Sequence, residues 1–222
     1  MKEKIFLVLL FMTISIMSYG EIPDAETRRL FEVRYKIWND EYNRVKEFLT
    51  FRSGESMKEF KEGIVGMGVK ILPILIKRMY QDDRLIYAVI DVSGWRLIPG
   101  EMQLRSQRGI SWEDYYAQWW KAGQSGVKKL FEDRYKQWKE VKPTSKKDAD
   151  QALINIRSLG VACLPYLFEK IENNETIFLP LVASLTQNIV RSDMTASESI
   201  NWWKKNKNDW LIPFPDQNLY DR

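Results

Sequence analysis

The sequence predicts an all-α protein made of two copies of one helical unit, and three observations carry that expectation. Gly68-Val69-Lys70-Ile71-Leu72-Pro73-Ile74-Leu75 recurs as Gly160-Val161-Ala162-Cys163-Leu164-Pro165-Tyr166-Leu167. Leu30-Phe31-Glu32-Val33-Arg34-Tyr35-Lys36-Ile37-Trp38 reappears as Leu130-Phe131-Glu132-Asp133-Arg134-Tyr135-Lys136-Gln137-Trp138. Around these blocks apolar residues recur at alternating spacings of three and four, the period of a helix with one buried face.

The chain opens with Lys2 and Lys4, an apolar run from Ile5 to Met17, and Ser18-Tyr19-Gly20. Charge, short apolar stretch and small residues in that order read as a secretory signal peptide over 1–20, cleaved before Glu21. The run is well short of the roughly 20 apolar residues that span a membrane. No cysteine follows it to carry a lipid. The expected product is exported, periplasmic or secreted, with no transmembrane segment after cleavage and no lipoprotein anchor. The whole chain carries a formal net charge of +4, and removing Lys2, Glu3 and Lys4 leaves +3. Nucleic-acid binders gather positive charge on one face, whereas lysine and glutamate alternate along these helices, so nucleic acid is not an expected partner.

From Glu26 to Leu49 the residues Phe31, Tyr35, Trp38, Tyr42, Val45 and Leu49 share one face of a long first helix. Ser56 with Glu59 forms a capping-box start for a second, striped by Phe60, Ile64 and Met67 and closed by Gly68 in a left-handed cap. A third begins near Val69 or Lys70, with Pro73 tolerated in its first turn, where a missing N–H costs nothing. Asp82 or Asp83 caps a fourth, running to about Trp95 with Leu85, Ala88, Val89 and Val92 inward. Arg96 to Ile110 loses the rhythm, contains Pro99-Gly100 and Gly109, and reads as a long loop, a kind of segment that is often functional. Ser111 with Asp114 opens a fifth helix through Trp119 and Trp120 that stops at Gly123.

The second unit starts at Ser125 and repeats the plan. Its first helix runs Val127 to Val141 and ends before Pro143. Ser145 and Asp148 open the next; Ile156, Leu159 and Gly160 match Ile64, Met67 and Gly68. Thr195 with Glu198 caps a helix bearing Trp202-Trp203-Lys204, the counterpart of Trp119-Trp120-Lys121. Trp210 to Pro215 packs back across that helix, and 216–222 is a frayed polar tail. The first unit thus covers 21–124 and the second 125–215, as one continuous array. The offsets between matched blocks run 100, 92, 93 and 83. They place extra residues of the first unit between Glu47 and Ser56 and within Arg96 to Ile110.

A helix ending in glycine, an apolar pair with proline and a second apolar helix, seen at Met67 to Leu75 and at Leu159 to Leu167, resembles HEAT-like and armadillo-like helical repeats. The Trp-Trp-Lys endings resemble those of exported bacterial proteins with such repeats. The resemblance covers most of 55–95 and 147–188 and implies tandem helical hairpins stacked as a short α-solenoid. The period of 92 to 100 residues is twice a HEAT unit, so two hairpins and a leading helix make up each copy. Such repeats carry no catalytic residue, cofactor or metal, and imply a scaffold that binds another protein.

The composition agrees with a non-enzyme. There is no histidine, which removes imidazole acid–base chemistry, Ser-His-Asp and Cys-His nucleophiles and the usual zinc sites. The single cysteine, Cys163, aligns with Ile71 and reads as a small buried hydrophobe. The acidic neighbours Asp82-Asp83, Glu113-Asp114 and Glu172 with Glu175 sit at helix starts and turns, where the helix dipole favours them. Of nine tryptophans, those matched in both units (Trp38 with Trp138, Trp119 with Trp202, Trp120 with Trp203) are expected in the core. Trp95, Trp112 and Tyr116, present in the first unit only, are expected at the surface. With Arg96, Arg105 and Arg108, set against the single acid Glu101, they outline a basic, aromatic-rimmed patch for a carboxylate or a polar partner segment. The expected partner is another protein of the cell envelope; the alternative is a cell-wall glycan stacked on the exposed aromatics.

Overall fold

The computed structural model describes residues 23–45 and 63–215. The signal segment, the Ser56–Glu59 capping box, Phe60, Leu49, the extra residues between Glu47 and Ser56, and the tail 216–222 lie outside them. The described chain is all-α: helices follow one another without a strand, and the only β pairing among these residues is an isolated antiparallel bridge between Trp95 and Leu159.

Helix α1 (Ala25–Val45) starts at Asp24, whose carboxylate accepts the Thr27 N–H at 2.7 Å. Phe31 and Trp38 are buried, and the rings of Phe31, Tyr35, Trp38 and Tyr42 follow one another at 5.7 to 5.9 Å. A helical turn over 63–65 then leads to Gly68 at φ 72 and ψ −167. The expected left-handed cap is therefore an extended mirror-image conformation, open to glycine alone. Val69–Ile71 form a 3-10 turn, and α2 (Leu72–Arg78) follows with Pro73 in its first turn.

Helix α3 (Leu85–Ser93) buries Leu85, Ala88, Val89 and Val92 and is closed by Gly94 in the left-handed region. It ends short of Trp95. Its N-cap is Arg84, without a side-chain cap; the Asp82 carboxylate accepts the Arg84 main-chain N–H at 3.2 Å, one residue before the helix, together with the Arg84 guanidinium and the Tyr35 hydroxyl. The expected loop over Arg96 to Ile110 contains a helix, α4 (Pro99–Gln107). Pro99 occupies its first turn, where proline is preorganised, and Glu101 accepts the Ile98 N–H at 3.2 Å. None of its residues is buried. Without an apolar stripe its sequence shows no helical period, which is why Pro99-Gly100 reads as a turn.

Helix α5 (Trp112–Val141) spans both expected helices, broken at Gly123 with φ 62 and ψ −160. It packs along α6 (Lys146–Arg157), which Ser145 caps by accepting the Asp148 N–H at 3.3 Å. A second 3-10 turn (Gly160–Cys163) leads into α7 (Leu164–Glu172), a third (Thr176–Phe178) into α8 (Leu179–Leu185), and Thr195 with Glu198 closes a reciprocal capping box on α9 (Ala196–Asn206).

Matched blocks adopt matching local geometry. Ile71 and Cys163, each the residue before the Leu-Pro step, sit at φ −89 with ψ −7 and −5. Arg34 donates to the Gly63 carbonyl and Arg134 to the Asn155 carbonyl, positions 92 apart like the glycines. Tyr35 donates to Asp82 at 2.8 Å and Tyr135 to Glu175 at 2.5 Å. The chain end then returns to the first half: Phe214 packs edge-on against Trp119 at 5.0 Å and tilted against Trp120 at 5.4 Å, and Lys70 lies 3.8 Å from Asp209. Trp210 also meets Trp202 at 5.9 Å, so the last segment crosses the last helix as expected and continues beyond it. No helix among the described residues is long and apolar enough to cross a membrane.

Candidate functional site

The predicted basic, aromatic patch does not assemble. Trp95 and Tyr116 are both 1% exposed, so the expectation that rings found in one unit only stand at the surface is corrected. Trp95 Nε1 donates to the Tyr115 hydroxyl at 3.0 Å, the Tyr116 hydroxyl donates to the Trp95 carbonyl at 3.2 Å, and Trp95 packs on Trp119 at 5.2 Å. Burial pushes the Tyr116 phenol above its ordinary value and the Tyr115 phenol up to about 12. These rings pack together between the end of α3 and the start of α5. A position matched in neither copy can be core as readily as surface.

Trp112 is half-buried beneath Arg105, whose guanidinium lies 4.0 Å from the ring and donates to the Ile110 carbonyl at 2.5 Å. Arg108 is exposed at the end of α4. Glu101 faces none of these arginines; it pairs with Arg134, which is 3% exposed and also donates to the Asn155 carbonyl and the Ser158 hydroxyl. The buried pair pins α4 to α5 and makes the inserted segment part of the scaffold. The matched Arg34 and Arg134, each set inside an aromatic stripe, were the signal for this role.

Arg96 stands apart from the others. Its side chain is 67% exposed, 3.9 Å from Asp91, and it lines a cleft of about 600 Å³. Four stretches build the walls: Val65 to Val69, Asp91 to Arg96, Ile154 to Val161, and Ser184 to Gln187, with Asp209 and Trp210 closing one side. Each of the first four is the end of a helix, so the residues come in matched pairs such as Val69 with Val161 and Val92 with Leu185. Arg157 projects from the end of α6 and makes no hydrogen bond or ion pair with any described residue. Ile154, off the buried stripe of Ala149, Ala152 and Ile156, is 55% exposed on the same wall. That misplaced isoleucine was legible in the sequence; Arg157 looked like any helix-end arginine.

Inside the cleft the two glycine corners differ. Gly94 to Arg96 runs antiparallel against Ser158 to Gly160, with the Arg96 N–H donating to the Ser158 carbonyl at 2.7 Å. A Cβ on Gly160 would sit 2.1 Å from the Ser93 carbonyl oxygen and 2.4 Å from the Gly94 carbonyl carbon. A Cβ on Gly68 would meet nothing within 4 Å.

A second cleft, of about 710 Å³, lies between α1, α2 and α5 and is lined by Tyr35, Tyr80, Asp82, Asp83, Glu113 and Asp114 among others. Its deepest acid is already satisfied. Burial pushes the Asp82 carboxyl up, but hydrogen bonds from Arg84 at 2.6 and 2.5 Å and from Tyr35 at 2.8 Å outweigh it and hold the group below the ordinary aspartate range. Among the described residues no group of acids and cysteine is placed to hold a metal ion. The lone thiol, Cys163, is fully buried; it donates to the Gly160 carbonyl at 3.1 Å, and burial pushes it up to about 12. Comparison with known proteins finds no matching family model, no matching curated protein and no matching solved structure.

Proposed function

We propose that this is an exported, non-catalytic helical-repeat module whose two units form a short, solenoid-like array and bind another protein of the cell envelope. The observation that carries the reading is the cleft between the units. Its walls combine the exposed Ile154 and the half-buried Val65, Leu185 and Trp210 with the exposed side chains of Arg96 and Arg157. An apolar floor with a few placed polar groups is the makeup of a recognition surface. The matched corners, with their shared Leu-Pro geometry, support the two-unit reading. The non-catalytic reading rests on the absence of histidine, on a thiol sealed from solvent, and on an acidic cleft whose deepest carboxylate is already bound by Arg84.

The test is crosslinking in intact cells followed by capture of a tagged chain. Ile154→Arg with Arg157→Glu should reduce the crosslinked partner at least tenfold at unchanged melting temperature. Arg105→Ala with Arg108→Ala, away from the cleft, should leave capture intact. Equal capture by wild type and the cleft variant overturns the reading. A strong signal on a glycan array with the mature protein would favour the carbohydrate alternative, which loses Trp95 and Tyr116 as stacking surfaces.

A further inference from the structure

We infer that the open corner at Met67-Gly68 receives an extended peptide segment of the partner, laid down as Gly94-Trp95-Arg96 lies on Leu159-Gly160, and that this segment carries a carboxylate for Arg157. The inference rests on the cleft being the binding face and names what enters it.

The molecule supplies its own template. At the second corner the chain approaches glycine to glycine: a Cβ on Gly94 would lie 3.1 Å from the Gly160 Cα, and one on Gly160 would overlap the Gly94 backbone. Only a segment with a small residue at that point can come so close. The docked strand is then held by the Arg96 N–H bond to the Ser158 carbonyl. At the first corner the same parts are present and free. Gly68 faces open space on the wall of the cleft. Gly66 takes the place of Ser158, is exposed, and its carbonyl accepts no hydrogen bond from a described residue. Adding a strand to backbone groups left unpaired is a general mode of peptide recognition, in which the main chain supplies affinity and side-chain pockets supply selectivity.

Charge selects the partner's chemistry. Of the charged groups on the cleft, Asp91 is paired with Arg96 and Asp209 with Lys70. Arg157 alone has no counter-ion among the described residues, so the unspent charge is positive. A guanidinium at the rim of a partly apolar groove favours a carboxylate, which it can bind through two parallel hydrogen bonds. The fitting segment is extended, has glycine or alanine at the closest approach, a bulky apolar residue next to it, and an acid nearby.

Two labelled peptides, Ser-Gly-Trp-Glu-Leu and its lysine twin Ser-Gly-Trp-Lys-Leu, test this by fluorescence anisotropy against the mature protein. Wild type should bind the glutamate peptide at least tenfold more tightly than the lysine twin. Arg157→Glu should invert that order, and Gly68→Leu should weaken both by tenfold or more. If Gly68→Leu does not fold, the inversion decides alone, since Arg157 is exposed and its replacement leaves the core untouched. Binding of neither peptide to wild type, or equal affinities across wild type and Arg157→Glu, overturns the inference. Loss of partner capture by the cleft variants without peptide binding would retain the cleft as the binding face while rejecting an extended acidic segment. Capture that survives the cleft variants would reject the cleft itself.

Discussion

Gly68 and Gly160 occupy the same place in two matched stretches and do different work. Both hold positive φ, 72 and 62, and both lead into a 3-10 turn and a Leu-Pro helix start. Gly160 is pressed against the backbone of Ser93 to Trp95, whereas Gly68 faces open space. One residue type at one turn therefore serves two needs: a positive φ that both corners hold, and a close approach that only the second makes. The difference teaches that the same short sequence motif can hold the same kind of turn in different surroundings, one corner filled and the other facing a cleft.

The largest expected effect comes from closing that difference in the wrong place. Gly160→Ala adds a methyl group onto the Ser93 and Gly94 backbone and should cost about 3 kcal/mol or more, at or above the upper end for overpacked sites because the obstacle is main chain. Gly68→Ala adds only the conformational penalty of its extended mirror-image backbone, roughly 1–3 kcal/mol. Urea titration of the pair measures both, and equal losses would break the distinction between the corners.

Next come the matched arginines. Arg134→Met removes the partner of Glu101 and the bonds to Asn155 and Ser158; since Glu101 is only partly buried, the loss should fall at or below the low end of the cost of breaking a buried pair, about 2–3 kcal/mol. Arg34→Met removes a half-buried bond to the Gly63 carbonyl, worth roughly 1 kcal/mol. A larger loss at Arg34 would show that the first half leans on its arginine more than the packing indicates.

The Tyr35–Asp82 pair of the first half gives a test by pH. Asp82 is held below its ordinary value, so its contribution is complete above pH 3.8 and is lost as pH falls through the lower, folded-state value. The stability gap between wild type and Asp82→Asn should be constant at neutral pH and shrink below about pH 4. A gap that grows on acidification would reverse the sign and refute the Arg84–Asp82 assignment.

The smallest effect is expected where Ile71 and Cys163 fill matched core positions, both fully buried. Ile71→Val should cost about 0.5–1.5 kcal/mol. The Cys163 thiol, held up to about 12 by burial, should resist a thiol reagent at pH 8 and react fully once the chain is denatured. Fast labelling of the native protein would show that the second corner opens.

Short-range features were legible throughout. Ser111, Ser145 and Thr195 cap the helices they were expected to cap; Pro73 and Pro165 lie in first turns; and of the six matched tryptophans five are buried, with Trp202 half-buried against Phe168 and Trp210. Helix α4 escaped because it buries nothing and so has no periodic stripe. The patch of Arg96, Arg105, Arg108, Trp95, Trp112 and Tyr116 failed for a different reason. Neighbourhood in sequence put them together, while Tyr115, Trp119 and the Gly160 corner drew Trp95 and Tyr116 inward.

By itself the sequence determined the helices that bury an apolar stripe, the Ser111, Ser145 and Thr195 caps, the two Leu-Pro corners and the aromatic stripes, because each depends on residues within four or five positions of one another. Only the tertiary structure decided which corner is filled, which rings are covered, and that Arg157 faces a cleft without a counter-ion among the described residues. Those outcomes depend on contacts such as Gly94 on Gly160 and Lys70 beside Asp209. They join stretches far apart in the chain, and no local spacing records them.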